Sequence, residues 1–111
     1  MRVLVCSSDG PTLGKRRGAA DLIGLAREQS AGMVALPMER FDPAFFQLRT
    51  GLAGEFLQKF VNYGVRLAVL GDLTQLAAES TALRDLIRES NRGSTIWFLA
   101  DLAELGQRLK A

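Results

Sequence analysis

Phe45 to Tyr63 reads FFQLRTGLAGEFLQKFVNY, and its second half is two-sided on a helical wheel. Leu52, Phe56, Phe60 and Tyr63 form one apolar row, with Ala53, Leu57 and Val61 beside it. A face this broad is what a helix needs to pack on a sheet. The other side carries Gly51, Gly54, Glu55, Gln58, Lys59 and Asn62. Glu55 precedes Lys59 by one turn, the favourable order for an ion pair, worth roughly 0.2–0.5 kcal/mol when exposed. Thr50 is placed to act as the N-cap. Two glycines near the start cost about 1 kcal/mol each relative to alanine. That cost suggests close approach by a backbone, a partner subunit or a ligand. Arg49 just ahead of a helix N-terminus also makes an anion site. Upstream, Asp42-Pro43 is a helix start signal. It predicts a short helical turn over Ala44 to Leu48 and then the main helix from Gly51 to Tyr63; one kinked helix is the alternative.

Apolar runs flank this helix on both sides. Arg2 to Cys6, RVLVC, predicts a strand ended by the turn Ser7-Ser8-Asp9-Gly10-Pro11. Thr12 to Gly18 reads as a mobile basic loop. Ala19 to Gln29 reads as a first helix, weakened by Gly24 and closed by Ser30-Ala31-Gly32, with the glycine just past its end. Met33 to Met38, MVALPM, is continuously apolar and so expected to be buried on both faces. Pro37 ends that strand or places it at an edge. Val65 to Leu70 is a third strand, followed at its carboxyl end by Gly71-Asp72. Ligands of open α/β sheets bind at such ends, which makes Asp72 the best-placed single carboxylate; the plainer alternative is a turn or cap. Leu73 to Ala78 reads as irregular or a short turn. Ser80 to Asn91 carries Leu83, Leu86 and Ile87 at helical spacing. Asn91-Arg92-Gly93 stops it, with Gly93 free to turn left-handed. Thr95 to Leu99 is a fourth strand that holds Trp97, expected in the core. Asp101 caps a last helix over Leu102 to Leu109. Alternation of this kind predicts one α/β domain over residues 1–111: a single, mostly parallel four-stranded sheet with four helices, β-α-β-α-β-α-β-α.

Composition excludes several function classes. The chain has 111 residues and a net charge of +2 with the signs interspersed, so nucleic acid is not an expected partner. Lys15-Arg16-Arg17 is the one basic run, and three residues suit a solvated loop. No eighteen-residue apolar stretch exists for a membrane span. A single cysteine, Cys6, excludes an internal disulfide and reads as a buried small hydrophobe, with a cytoplasmic setting as the default. Histidine is absent, which removes the usual general base, the Ser-His and Cys-His nucleophiles and most zinc sites. No phosphate-binding loop, dinucleotide fingerprint or paired-carboxylate motif is present. No cofactor, metal or catalytic residue is therefore expected.

The block FFQLRTGLAGEFLQKFVNY, then VRLAVLGD, then LRDLIRESNRG ahead of TIWF, resembles the bacterial domain of unknown function family 4180, from about Ala19 to the end. The family is similar in outline to STAS domains, the small α/β modules of anti-sigma antagonists and anion transporters. Members commonly carry another strand before the segment that matches RVLVC, so an edge strand is expected to be missing here. Gly18-Ala19-Ala20-Asp21 stands where an acidic Gln-Asp-Ala pattern is usual. The resemblance implies a site at Arg49, Thr50, Gly51, Gly54, Glu55, Gln58, Lys59 and Asn62, with Asp72 and the run Glu89, Ser90, Asn91 and Arg92. It also puts Thr50 in a position similar to the phosphorylated switch residue of STAS modules.

Three functions follow as expectations. The first is a non-enzymatic, STAS-like interaction or regulatory module acting through the Thr50–Asn62 surface on a protein partner or as a homodimer. The second is a small-anion or small-ligand binding domain that uses Arg49, Lys59, Asp72 and Arg92. The third is an enzyme with Glu55 or Asp72 as base and Lys59 as electrostatic partner; a base of that kind is expected to be buried with a shifted pKa.

Overall fold

A computed structural model describes residues 1–14 and 18–110, so Lys15-Arg16-Arg17 lies outside the described residues. The elements in order are β1 (Val3–Val5), α1 (Gly18–Glu28), β2 (Met33–Pro37), α2 (Leu52–Tyr63), β3 (Arg66–Leu70), α3 (Thr74–Glu79), α4 (Thr81–Arg92), β4 (Ile96–Leu99) and α5 (Leu102–Lys110). Between β2 and α2 run three 3-10 turns, Met38–Arg40, Pro43–Phe46 and Leu48–Thr50. The predicted alternation is present, with five α-helices rather than four. Leu73 to Ala78, expected to be irregular or a short turn, is mostly helix α3.

The strands form one sheet in the order β1-β2-β3-β4, every neighbouring pair parallel. Each crossover moves one strand over in the same direction. Right-handed crossovers of that kind place all their helices on one face. Burial agrees. Leu4, Val34, Leu36, Leu67, Val69, Ile96 and Phe98 of the strands pack with Ile23 of α1, Phe56 and Phe60 of α2 and Leu83 of α4. The alternate strand residues Met33, Ala35, Ala68, Leu70, Trp97 and Leu99 form a second cluster with Leu105 and Leu109 of α5. Among the described residues only α5 covers that face, and Val5 near its margin is 53% exposed. Burial on both faces explains why β2 and β3 are apolar without alternation. Pro37 closes β2 as its last residue.

The two edges of the sheet differ. Thr95 and Leu99 offer their carbonyls to Leu67 and Gly71 of the β3 side, so the backbone groups of Phe98 point the other way. Asn91, in the last turn of α4, meets them. Its Oδ1 accepts from the Phe98 N–H at 2.7 Å, and its Nδ2 donates to the Phe98 carbonyl at 3.1 Å. The side-chain amide stands where another strand would pair and closes that edge. The Trp97 indole donates to the Gly93 carbonyl at 2.8 Å, and Arg108 donates to the Asn91 carbonyl. The guanidinium groups of Arg66 and Arg108 lie 4.5 and 4.3 Å from the Trp97 ring centre.

Several local expectations change. Gly93 is extended (φ −87°) rather than left-handed. After α1 the left-handed residue is Ser30 (φ 54°), not Gly32. Val61 and Tyr63, placed on the inner rows by the wheel, are 47% and 55% exposed. The inner face of α2 is therefore narrower and consists of Ala53, Phe56, Leu57 and Phe60.

Two substitutions test this account. Asn91→Ala removes both bonds to Phe98 and is expected to destabilise the fold by about 1–3 kcal/mol, read from the denaturation midpoint. Gly71 sits at the end of β3 with φ +153°, and a Cβ there would stand 2.4 Å from Met38 Cγ. Gly71→Ala is expected to cost about 1–3 kcal/mol through strain and that clash, whereas a variant as stable as wild type would contradict the packing described.

Candidate functional site

The segment from β2 to α2 is anchored by aromatics. Phe41, Phe45, Phe46 and Phe56 meet at ring-centre distances of 4.2–5.8 Å, mostly edge to face. Such contacts hold an irregular chain rigid. Asp42 starts the Pro43–Phe46 turn as expected, its Oδ1 accepting from the Ala44 N–H at 2.9 Å. This rigid turn carries Arg49 and Thr50 to the start of α2. The Thr50 hydroxyl lies 2.9 and 2.8 Å from the Ala44 and Gln47 carbonyls, to which it can donate, and accepts from the Leu52 N–H at 3.3 Å. The formal cap position belongs to Gly51, which is left-handed at φ +77°. Gly51 is thus explained by backbone conformation.

Gly54 is not explained that way. Among the described residues nothing outside its own helix turn lies within 4 Å of a Cβ built on it, so none of them makes the close approach its presence suggests. Around it Glu55, Gln58 and Asn62 are exposed and Lys59 is half-buried. Gln58 donates to Asn62 Oδ1 at 2.9 Å, one turn on. The ion pairs among the described residues lie on α4, Arg88–Asp85 at 2.7 Å and Arg92–Glu89 at 3.2 Å; the expected Glu55–Lys59 pair is not among them. Exposed Val61 and Tyr63 continue the outer face, and Leu25 of α1 is 39% exposed. Arg27 of α1 joins the two helices, donating to the Tyr63 carbonyl at 3.2 Å and lying 5.3 Å from the Tyr63 ring centre.

Asp72 lies at the carboxyl end of β3, as expected. It borders an open cleft of about 330 Å3 with Leu73, Thr74, Ile87, Phe98 and Glu104. Its Oδ1 accepts from the Thr74 N–H at 3.0 Å. Hydrogen bonding to Thr74, through its hydroxyl and then its N–H, holds the carboxyl below its ordinary range. Asp72 is therefore a cap and a poor base. Glu104 likewise accepts from the Ala100 N–H at 3.4 Å.

A larger cleft, about 540 Å3, opens between the 3-10 turns and the α3–α4 junction. Phe46, Leu48, Leu76 and Leu83 wall it, and Arg49 and Glu79 line it. Arg49 was legible from the sequence; Glu79 and the walls were not. The pattern that marks them is Leu73, Leu76, Glu79 and Ser80 at helical spacing, too short to stand out.

The candidate residues do not form one site. Arg49, Thr50 and Asp72 lie toward the carboxyl ends of the strands. α2 and α4 run back against the strands, which carries Asn62 and the run Glu89–Arg92 to the opposite end. The twelve residues of α4 span about 18 Å. Arg49 and Arg92 are thus not gathered around one anion, and Arg92 is paired with Glu89. Asn91 serves the β4 edge, and Ser90 accepts, through its carbonyl, from the Gly93 N–H. Among the described residues no group of three or more His, Cys, Asp or Glu is placed to hold a metal, and no helix is long and apolar enough to cross a membrane.

No curated protein and no solved structure matches the chain. A family model matches residues 1–109, so the likeness takes in β1 as well as the stretch from Ala19 onward. A match over nearly the whole length means that the chain belongs to the family described as Domain of unknown function (DUF4180).

Proposed function

We propose that this domain is a non-enzymatic protein-interaction module of the regulatory, STAS-like kind, which docks through the outer face of α2 from Thr50 to Asn62 and the adjoining side of α1. The occupant we assign is a second copy of the chain, in a cytoplasmic setting where Cys6 stays a thiol. One observation carries the assignment: of the six large apolar side chains exposed among the described residues, Leu25, Val61 and Tyr63 lie on α1 and α2, on the same layer as the open positions Gly24 and Gly54. Exposed apolar side chains beside backbone laid bare by glycine suit a helix of a partner approaching to about 8–10 Å. A two-fold arrangement lets the same patch serve both copies.

The non-enzymatic part rests on chemistry. Histidine is absent, and the best-placed carboxylate, Asp72, is occupied by Thr74. Thr50 begins the docking face as a fastener. Its hydroxyl hydrogen is shared with the carbonyls of the preceding turn, and a phosphate in its place would break that tie and add about −1.5 to −2 charges.

Light scattering over a range of concentrations is the test. Wild type is expected to form a dimer, and Val61→Asp and Gly54→Leu are expected to be monomeric with unchanged helix content. A wild-type chain that stays monomeric throughout, or a dimer that Val61→Asp leaves intact, removes the proposal. Gly54→Ala separates fold from docking: with open space around the new methyl, it is expected to stabilise the monomer by about 0.5–1 kcal/mol, read from chemical denaturation.

A further inference from the structure

The cleft of about 540 Å3 beside Arg49 falls within the usual size of small-molecule sites, about 300–1,000 Å3. Its apolar wall is firm, because Phe46 and Leu83 also belong to the main core. Its two charges are unspent. Among the described residues, neither the Arg49 guanidinium nor the Glu79 carboxylate has a hydrogen-bond partner or an ion-pair partner within 4.0 Å, including each other. Of the other polar side chains that line the cleft, Ser80 Oγ accepts from the Leu83 N–H at 3.1 Å, and exposed Gln47 adds a neutral amide.

A guest in this space meets one cation, one anion and an apolar wall. A simple anion gains Arg49 but faces Glu79, and a simple cation faces the reverse. A ligand with both charges and an apolar body satisfies all three. The geometry points to a binding site for a small apolar zwitterion, of which an α-amino acid with a branched or aromatic side chain is the simplest. Arg49 takes the carboxylate, in the forked pairing that guanidinium favours. Glu79 takes the ammonium group, and the side chain lies against Leu76 and Leu83. None of the residues that line the cleft belongs to the docking face from Thr50 to Asn62, so each assignment is tested without the other.

The test is calorimetric titration and thermal-shift measurement on the full chain with L-leucine and L-phenylalanine. Three analogues each remove one feature: N-acetyl-L-leucine the ammonium, L-leucinamide the carboxylate and glycine the apolar body. The free apolar amino acids are expected to bind and raise Tm, and each analogue to bind about tenfold more weakly or worse. Arg49→Gln and Glu79→Gln change exposed side chains, so each is expected to melt as wild type without ligand and to bind about tenfold more weakly. Absence of binding by leucine and phenylalanine at millimolar concentration overturns the proposal. So does N-acetyl-leucine binding as tightly as leucine, or affinity unchanged in both variants.

Discussion

Handedness of the crossover governs this molecule. A parallel strand pair joined in the right-handed sense puts its helix on one particular face, chosen by the direction of travel across the sheet. Here the chain crosses from β1 to β4 without once reversing. Three connections therefore stack their helices on a single face, and the main core forms there. Among the described residues the second face is covered by the nine-residue α5, which follows β4. The same winding brings the starts of α2 and α4 to the carboxyl ends of the strands, where both clefts open. Reversing the order of two strands would move one helix to the other face and close neither cleft in its present form.

Within that frame, polar side chains divide into those that serve the backbone and those that do not. Asp42, Asp72, Ser80 and Asp101 each accept from an N–H at the start of a turn or helix. Asn91 satisfies both groups of Phe98. Arg40 donates to the Ser7 and Pro11 carbonyls and ties the β1–α1 loop to the end of β2. Exposed charged groups near the clefts would be unremarkable singly. Arg49 and Glu79 differ in sharing a concave, apolar-walled space without pairing across it, and separation of that kind is what a ligand fills.

The class of fold was legible because physics writes it locally. Strands covered on both faces must be apolar throughout, and the runs around Val34 and Leu67 show this directly. Strand order was not legible, because such a run looks the same whatever lies beside it. Helix α3 was missed because six residues are too few for a period to emerge. The wheel gives the angle of Val61 and Tyr63 around α2 but not whether anything lies beneath them. Gly51 and Gly54 look alike in sequence, yet one is required by a left-handed turn and the other borders open space. The Arg49–Glu79 cleft depends on which elements become neighbours, and those residues stand far apart along the chain. Asn91 reads as a helix end in sequence, and its bond to the strand edge depends on where β4 returns.

Coverage of the second face by one short helix has a consequence for how the domain comes apart. A nine-residue helix has little stability of its own in water, so α5 persists through Leu105 and Leu109 against the sheet and through Arg108 over Trp97. Detaching it leaves the larger core and the layer of connecting helices over it untouched. The domain thus has a built-in weakest seam, and opening along it uncovers the strip of Met33, Ala35, Ala68 and Leu70 before anything else yields. Trp97, the one indole in the chain, lies on that seam and would lose Arg108 from its ring as the seam opens. Its emission therefore separates a local event at the carboxyl-terminal helix from unfolding of the whole.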